Sequence, residues 1–198
     1  PGMPKRIKKL LFLICGGSAW AQSGELWFSA GASLLSNTGL GTTSPTGSSN
    51  DFQLDSGFKF AFRFGFNTTD YIGHEIQYAY SRSHLISGGV NTDGMAIHQG
   101  GYNFLGYATK SGSRIRPFGT VGLQFANYVP PGSSASYGQG STKFGFNYGG
   151  GVKVRMTDTL ALRFDLRRYD TPKPDFGLLQ RNGWLHQTEV SAGVGYVF

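Results

Sequence analysis

The sequence lacks long apolar runs and is poor in charge, proline and cysteine. Its longest apolar run, residues 10–15, is six residues long, which excludes a membrane-spanning helix because such a helix needs about 20 apolar residues. Charged residues make up 15% of the chain, against a usual ~25%. Collagen is excluded because there are only 8 prolines and the glycines follow no three-residue period.

Glycine and aromatic residues are abundant instead. The 198 residues include 31 glycines, and 15% of the chain is aromatic. Glycine costs roughly 1 kcal/mol at a helix-interior site, so this content is unfavourable for a helical protein. Disordered chains have few aromatic residues, so disorder is not expected either. A chain of this length most often forms one domain, and composition alone favours a mildly basic, soluble β protein.

The N-terminus has the pattern of a secretory signal peptide. Four basic residues precede the apolar run, and Ala19 and Ala21 follow it at the small-residue positions of an A-x-A cleavage site. We predict cleavage after Ala21. Residues 1–21 then hold upstream residues and the cleavable signal, and residues 22–198 form the mature protein. An amphipathic N-terminal helix or a simple tail is the alternative.

Cleavage there changes what the composition implies. The net charge of +7, from 18 basic and 11 acidic residues, falls to +3 without the four basic residues of the signal. A nucleic-acid partner is therefore not expected. The only cysteine, Cys15, leaves with the signal, so the mature chain has no disulfide, thiolate metal site or cysteine nucleophile. A lipid-anchored Cys15 is disfavoured because the bulky Leu13 and Ile14 precede it.

Residues 58–66 alternate strictly between two faces. Their sequence, FKFAFRFGF, has phenylalanine at every second position, with lysine, alanine, arginine and glycine between. Period two is typical of a β-strand with one apolar and one polar face. Nine residues also match the roughly 9–11 that a tilted strand needs to cross a bilayer.

The same alternation predicts eight strands. They are expected near residues 25–35, 54–66, 71–82, 96–108, 114–126, 143–155, 159–169 and 184–198. Long connections at 36–53, 83–95, 127–142 and 170–183 alternate with short ones at 67–70, 109–113 and 156–158. All long loops then lie at one end, as in outer-membrane barrels with short periplasmic turns. The fourth strand is ambiguous, because Tyr102 and Phe104 share one face while Leu105 and Tyr107 share the other.

Alternation alone does not decide which face is outside. A soluble barrel buries the apolar face, whereas a membrane barrel turns it towards lipid. The aromatic apolar face, the export signal and the terminal Phe198 favour the membrane arrangement. Glycines on the polar face are expected to leave room for long Arg and Lys side chains in a narrow lumen: Gly65, Gly73, Gly122, Gly145, Gly149 and Gly151.

Two features of the sequence resemble a known family. The last eight residues, SAGVGYVF, resemble the C-terminal recognition signal for outer-membrane barrel assembly, carried by Ser191, Gly193, Tyr196 and Phe198. Segments 114–125 and 149–169 are similar to hairpins of small OmpA-type outer-membrane β-barrels. The resemblance covers the mature chain and implies an all-β fold, an eight-stranded antiparallel up-and-down transmembrane barrel in the outer membrane of a Gram-negative cell. An ordinary glycine-containing edge strand is the alternative for SAGVGYVF.

The barrel interior is the candidate functional region. An eight-stranded barrel is just wide enough for side chains to fill. The predicted lumen charges are Arg63, Glu75, Arg163, Asp165, Arg167 and Glu189. Buried charges need partners, and neighbouring strands offer Arg63 with Glu75, and Arg163 or Arg167 with Glu189. We predict an interior salt-bridge network that plugs the lumen, with a gated path for ions or small solutes as the alternative.

The outer face is expected to meet lipid, with Trp and Tyr near the two interfaces. The candidates are Tyr71 near a periplasmic turn and, near the loop end, Tyr80, Tyr128, Tyr169 and Trp184. Basic residues at the loop end are candidates to pair with lipopolysaccharide phosphates, although a solvated rim explains them equally well: Arg82, Arg168, Lys173 and Arg181.

Catalysis is not expected from the sequence. A lipid A deacylase needs a histidine base beside a serine nucleophile on the lipid face. His186 and Thr188 share the outward face of the last strand, but Thr replaces Ser and Glu189 points inward. The other three histidines share no metal-ligand spacing, so no metal site or cofactor is predicted.

The sequence thus predicts a monomeric outer-membrane barrel with a structural or surface-interaction role. Four long external loops are expected to form its binding surface. The expected partners are outer-membrane lipid, lipopolysaccharide and the barrel assembly machinery. A narrow porin-like channel is the second interpretation and a lipid A-modifying enzyme the third, because a fold does not fix a function.

Overall fold

The fold is a closed sheet of eight long antiparallel strands. The computed structural model describes residues 23–130, 132, 140–179 and 183–198. The strands are β1 (Gly24–Ser36), β2 (Gly39–Gly41), β3 (Phe52–Asn67), β4 (Ile72–Ser87), β5 (Val90–Tyr107), β6 (Ile115–Val129), β7 (Ser141–Arg155), β8 (Leu160–Pro172) and β9 (Trp184–Val197). The three-residue β2 lies in the first long connection and pairs with β3.

Pairing of the first and last strands closes the barrel. Each long strand pairs with the next one along the chain, and β1 pairs with both β3 and β9. This confirms the predicted eight-stranded, up-and-down antiparallel barrel. The described residues contain no helix long and apolar enough to cross a membrane.

The apolar face of each long strand is turned outward. On β3, Phe62 is 57% exposed, whereas its neighbours Ala61 and Arg63 are each 1% exposed. A soluble barrel would show the opposite arrangement. The inverted pattern is the one that outer-membrane barrels have, since their lumen is polar and their outer band apolar.

The ambiguous strand, β5, has apolar residues on both faces for a structural reason. Tyr102 and Phe104 lie on the outer face, while Leu105 and Tyr107 are buried inside. The two inward residues pack with Phe118 of β6 into a small apolar cluster within the lumen. The lumen is therefore not uniformly polar, and alternation of polarity is lost at this point.

The predicted long loop at 83–95 is wrong, because this segment is an extended hairpin. β4 continues to Ser87 and β5 begins at Val90, so only Gly88 and Gly89 form the turn. Both glycines have positive φ, 58° and 80°, as a two-residue type I′ turn requires. The glycine pair supports a tight turn between β4 and β5, which stay paired up to Ser87 and Val90.

Two predicted interface aromatics lie inside the barrel instead. Tyr128 and Tyr169 are 2% and 1% exposed. Tyr169 follows Arg167 by two positions and so shares its inward side of β8. Tyr71 and Trp184, by contrast, lie exposed on the outside.

The inward glycines make room for other groups than Arg and Lys side chains. A Cβ at Gly151 would lie 2.8 Å from the ring of Phe118, and one at Gly122 would lie 2.1 Å from the Asn103 amide oxygen. At the six glycines singled out from the sequence, the nearest atoms belong to backbone, rings, Asn, Thr or Glu side chains. These glycines therefore admit close approach of those groups, and none of the nearest atoms belongs to an Arg or Lys side chain.

Candidate functional site

The structure brings the six predicted lumen charges together inside the barrel. They come from four strands, β3, β4, β8 and β9, because each occupies an inward position of the two-residue alternation. All six side chains are buried: Arg63, Glu75, Arg163, Asp165, Arg167 and Glu189.

Glu75 of β4 lies at the centre of this network. It accepts hydrogen bonds from Arg163 Nη1 at 2.5 Å and from Arg167 Nη2 at 3.0 Å. The Asn103 amide donates to it at 3.1 Å. Arg63 Nε lies 3.7 Å away, so the predicted Arg63–Glu75 pair is present as a longer contact. One carboxylate thus faces three guanidinium groups.

Asp165 holds the two arginines of its own strand. Arg163 donates to it through Nε at 2.7 Å and Nη2 at 3.0 Å, and Arg167 donates through Nε at 2.9 Å. The three residues alternate along β8, so their side chains share the inward face. The two-nitrogen pairing of Arg163 with Asp165 fixes the direction of that guanidinium plane, while Arg167 bridges Asp165 and Glu75.

The predicted pairing of Glu189 with Arg163 or Arg167 is wrong. Arg167 stands opposite Glu189 in the register of β8 and β9, but its guanidinium reaches Asp165 and Glu75 instead. Glu189 accepts from Arg63 Nη2 at 2.6 Å and from the Tyr169 hydroxyl at 2.7 Å. The guanidinium partner of Glu189 therefore comes from β3, two strands away, and not from the adjacent β8.

Sequence reasoning missed Lys59 as a member of the network. Its Nζ lies 3.3 Å from Glu189, donates to Gln99 at 2.7 Å and lies 3.4 Å from the centre of the Tyr169 ring. The alternation already placed Lys59 on the polar face of β3. Its partners on β5, β8 and β9 are distant in sequence, and no local signal identifies them.

A second charged group lies at the periplasmic end of the lumen. Glu25 contacts Lys153 in an ion pair and accepts from Trp27 Nε1 and from the Asn67 amide, each at 2.8 Å. Lys153 also donates to the Tyr107 hydroxyl at 2.7 Å. Beside this group lies a cavity of about 260 Å³.

An apolar cluster, the external cap, lies at the long-loop end of the lumen, which is the external end in outer-membrane barrels. Its buried members are Leu40, Leu54, Met95, Ile97, Ala126, Tyr128 and Leu185. Phe176 and Leu178 of the connection between β8 and β9 pack against them. Two backbone hydrogen bonds between Thr42 and Leu179, at 3.0 and 2.8 Å, join the first and last external connections above the cap.

On the outer face, His186 has a carboxylate partner that the sequence did not reveal. Its Nδ1 lies 2.5 Å from Asp170 of β8, which also accepts from Arg168 Nε at 3.1 Å. Ser36 of β1 stands opposite His186 in the register, but no hydrogen bond joins these two described residues. The strand pairing that brings Asp170 to His186 links residues sixteen positions apart.

The residues of the predicted assembly signal lie on β9 and at its end. Ser191 is buried and donates to Glu189 at 2.5 Å. Tyr196 and Phe198 are 54% and 61% exposed on the outside, and Gly193 lies against Ser29 of β1. The recognition role of these residues stays a prediction. The predicted cleavage residues Ala19 and Ala21 lie outside the described part of the chain.

Within the described ranges, no group of three or more His, Cys, Asp or Glu side chains is placed to hold a metal ion. Two histidines of β4 and β5 instead bond to tyrosines. His74 contacts the Tyr102 hydroxyl, and His98 Nδ1 lies 2.8 Å from the Tyr78 hydroxyl. Both pairs are on the exposed outer face.

Solved structures with the same architecture come from several bacteria. Neisserial surface protein A gives a TM-score of 0.57 at 17% identity, over 89% of this chain and 99% of that one. A major outer membrane protein from Thermus thermophilus gives 0.57 at 12% identity, over 90% and 100%. The N-terminal β-barrel domain of OprF from Pseudomonas aeruginosa gives 0.52 at 13% identity, over 89% and 97%. Identities this low show a shared fold alone.

Sequence comparison assigns the family. Among curated proteins no sequence matches. The family model of the outer membrane protein beta-barrel domain matches residues 10–198, nearly the whole chain. The chain therefore belongs to the outer membrane protein β-barrel family, and its location is the outer membrane.

Proposed function

We propose that this barrel has a structural and surface-interaction role, with a lumen closed to solutes and external connections that form its binding surface. The observation that carries the proposal is the buried network around Glu75, which spans the lumen from β3 and β4 to β8 and β9. An interior that side chains fill leaves no continuous water path. A barrel that conducts no solutes would act through its outer surfaces, above all through its external connections.

The external end supports the same proposal. The external cap places apolar side chains across the lumen above the charged network. The Thr42–Leu179 hydrogen bonds tie two external connections into one surface. A solute would have to displace both layers, and the second of them is held by ion pairs that are expensive to separate once buried.

The external rim offers contacts for lipopolysaccharide phosphates. Arg168 keeps 39% of its side chain exposed beside Asp170, and Arg82 is exposed on β4. Lys173 is less suited, because it is buried and donates to the Asn37 side chain at 3.2 Å, and Arg181 lies outside the described residues. Outer-membrane lipid, lipopolysaccharide and the assembly machinery are the proposed partners of a monomer.

A catalytic role is not part of the proposal. One row on the outer face consists of Asp170, His186 and Ser36. These are the three residue types of the catalytic triad of serine hydrolases. The serine is not hydrogen-bonded to the histidine, and Asp170 is shared with Arg168 at 3.1 Å. An ion-pair cluster at the membrane rim accounts for this row without a nucleophile.

Planar-bilayer recording tests the closed lumen. The refolded protein should show no steady conductance, because the charged network and the external cap both block the path. Stable current steps would contradict the proposal if Lys59→Glu changed their ion selectivity, since Lys59 lies within the lumen. Current steps that this substitution leaves unchanged would be assigned to bilayer defects. The lumen itself would then contribute no conductance, as proposed.

A further inference from the structure

The inward-facing charges of the barrel do not balance. Six cationic side chains are buried at inward positions of the long strands: Lys59, Arg63, Arg116, Lys153, Arg163 and Arg167. Four buried carboxylates face them: Glu25, Glu75, Asp165 and Glu189. Within the described ranges the interior therefore carries two excess positive charges. Buried charge without a counter-charge is strongly unfavourable, so an anion from outside the chain would stabilise this interior.

Arg116 of β6 is the cation for which the described chain supplies no carboxylate. Its side chain is buried at 5% exposure. One nitrogen, Nη2, donates to the backbone oxygen of Asp70 at 2.9 Å, and the guanidinium lies 3.7 Å from the centre of the Tyr107 ring. Its Nε has no hydrogen-bond partner. A buried, charged donor is thus left unsatisfied, which native structures rarely tolerate.

The cavity at the periplasmic end lies against this arginine. Its volume is about 260 Å³, and Arg116, Lys153 and Arg155 line it together with Glu25. Lys153 already neutralises Glu25, so Arg116 and Arg155 remain uncompensated. A water molecule occupies ≈ 30 Å³ in the liquid, and the space is therefore ample for an ion of a few heavy atoms.

Three serine hydroxyls and four apolar residues make up the rest of the lining, the apolar ones being Trp27, Ala161, Val197 and Phe198. Ser23 precedes β1, and Ser111 and Ser113 lie in the turn between β5 and β6. Hydroxyls and guanidinium groups both donate hydrogen bonds to the oxygens of phosphate and carboxylate groups. The external cap closes the opposite end of the lumen, so a ligand reaches this cavity from the periplasmic side.

We propose that this cavity binds a small oxyanion, a phosphate or carboxylate group, with the Arg116 guanidinium as its main ligand. Arg155 and the serine hydroxyls supply further donors, and Lys153 keeps Glu25 from repelling the anion. The anion completes the charge balance of the lumen at the end where the barrel is open. A water-filled vestibule without a specific ligand is the competing account.

Calorimetric titration of the refolded full chain in a zwitterionic detergent tests this site. Inorganic phosphate, added at constant ionic strength, should bind saturably, and Arg116→Gln should weaken the binding at least about ten-fold, as loss of a charge-assisted hydrogen bond implies. Arg114→Gln is the matched control, because Arg114 is exposed two positions away, and it should leave the affinity unchanged. Acetate in place of phosphate separates a carboxylate site from a phosphate site.

Two results would overturn the proposal. One is the lack of saturable binding of both phosphate and acetate to the wild-type chain. The other is equal affinity in Arg116→Gln and wild type. If Arg116→Gln does not refold, Arg155→Gln replaces it, since Arg155 is only half-buried, and a lack of any weakening in that variant contradicts the site in the same way.

Discussion

Glu75→Gln should lower the free energy of unfolding by about 3–5 kcal/mol, the range for removing one partner of a buried ion pair. The substitution keeps the size of the side chain and removes its charge. Arg163 and Arg167, which lie 2.5 and 3.0 Å from the carboxylate, would then share Asp165 alone. The loss should appear as a lower denaturant midpoint when the protein unfolds from lipid vesicles.

A surface carboxylate provides the control for this measurement. Asp158 lies exposed in the turn between β7 and β8, so Asp158→Asn should change the stability by no more than about 0.5 kcal/mol. Equal, small effects of the two substitutions would mean that the Glu75 network does not hold the barrel together.

Phe62→Lys should lower the stability in lipid by about 2–4 kcal/mol, the cost of a basic residue at the bilayer midplane on the lipid face. Phe62 is the central residue of the alternating segment 58–66 and is 57% exposed on the outer face. If the outer face were in contact with water, a lysine at position 62 would be tolerated. In contact with lipid hydrocarbon, the ammonium group of that lysine has no hydrogen-bond partner, and the barrel is destabilised.

Val90→Lys is the matched substitution outside the membrane. Val90 is 64% exposed at the tip of the β4–β5 hairpin, so the same change of side chain should alter the stability by no more than about 0.5 kcal/mol. Unfolding from vesicles of wild type and both variants gives the comparison. If Phe62→Lys were as harmless as Val90→Lys, the outer face would not be in contact with lipid.

The barrel was predictable because alternation is a local property. In residues 58–66 each side chain's face follows from its position alone, and the structure places Phe62 outside and Arg63 inside as expected. The same rule, carried to the end of β8, places Tyr169 inside, where the expectation of an interface aromatic was wrong. The hairpin at Gly88 and Gly89 was missed because a polar, glycine-rich segment is compatible with either a loop or a tight turn.

The pairing inside the lumen was less predictable, because it depends on distances across the barrel. Sequence reasoning placed Glu189 beside an arginine of the neighbouring strand, but Arg63 reaches it from β3 instead. Asp170 lies beside His186 because the two residues are partners in the pairing of β8 with β9. The register of that pairing is set by the closed sheet and could not be predicted from either strand by itself. The external cap is equally non-local, since it joins apolar residues of β3, β5, β6 and β9 with residues of the first and last external connections.

Gel mobility before and after boiling tests the central claim, a closed membrane barrel, most directly. The detergent-refolded chain should migrate differently unboiled and boiled, because the closed antiparallel sheet resists the detergent of the gel until heat opens it. Identical mobility in both lanes, together with solubility in buffer that contains no detergent, would contradict the account.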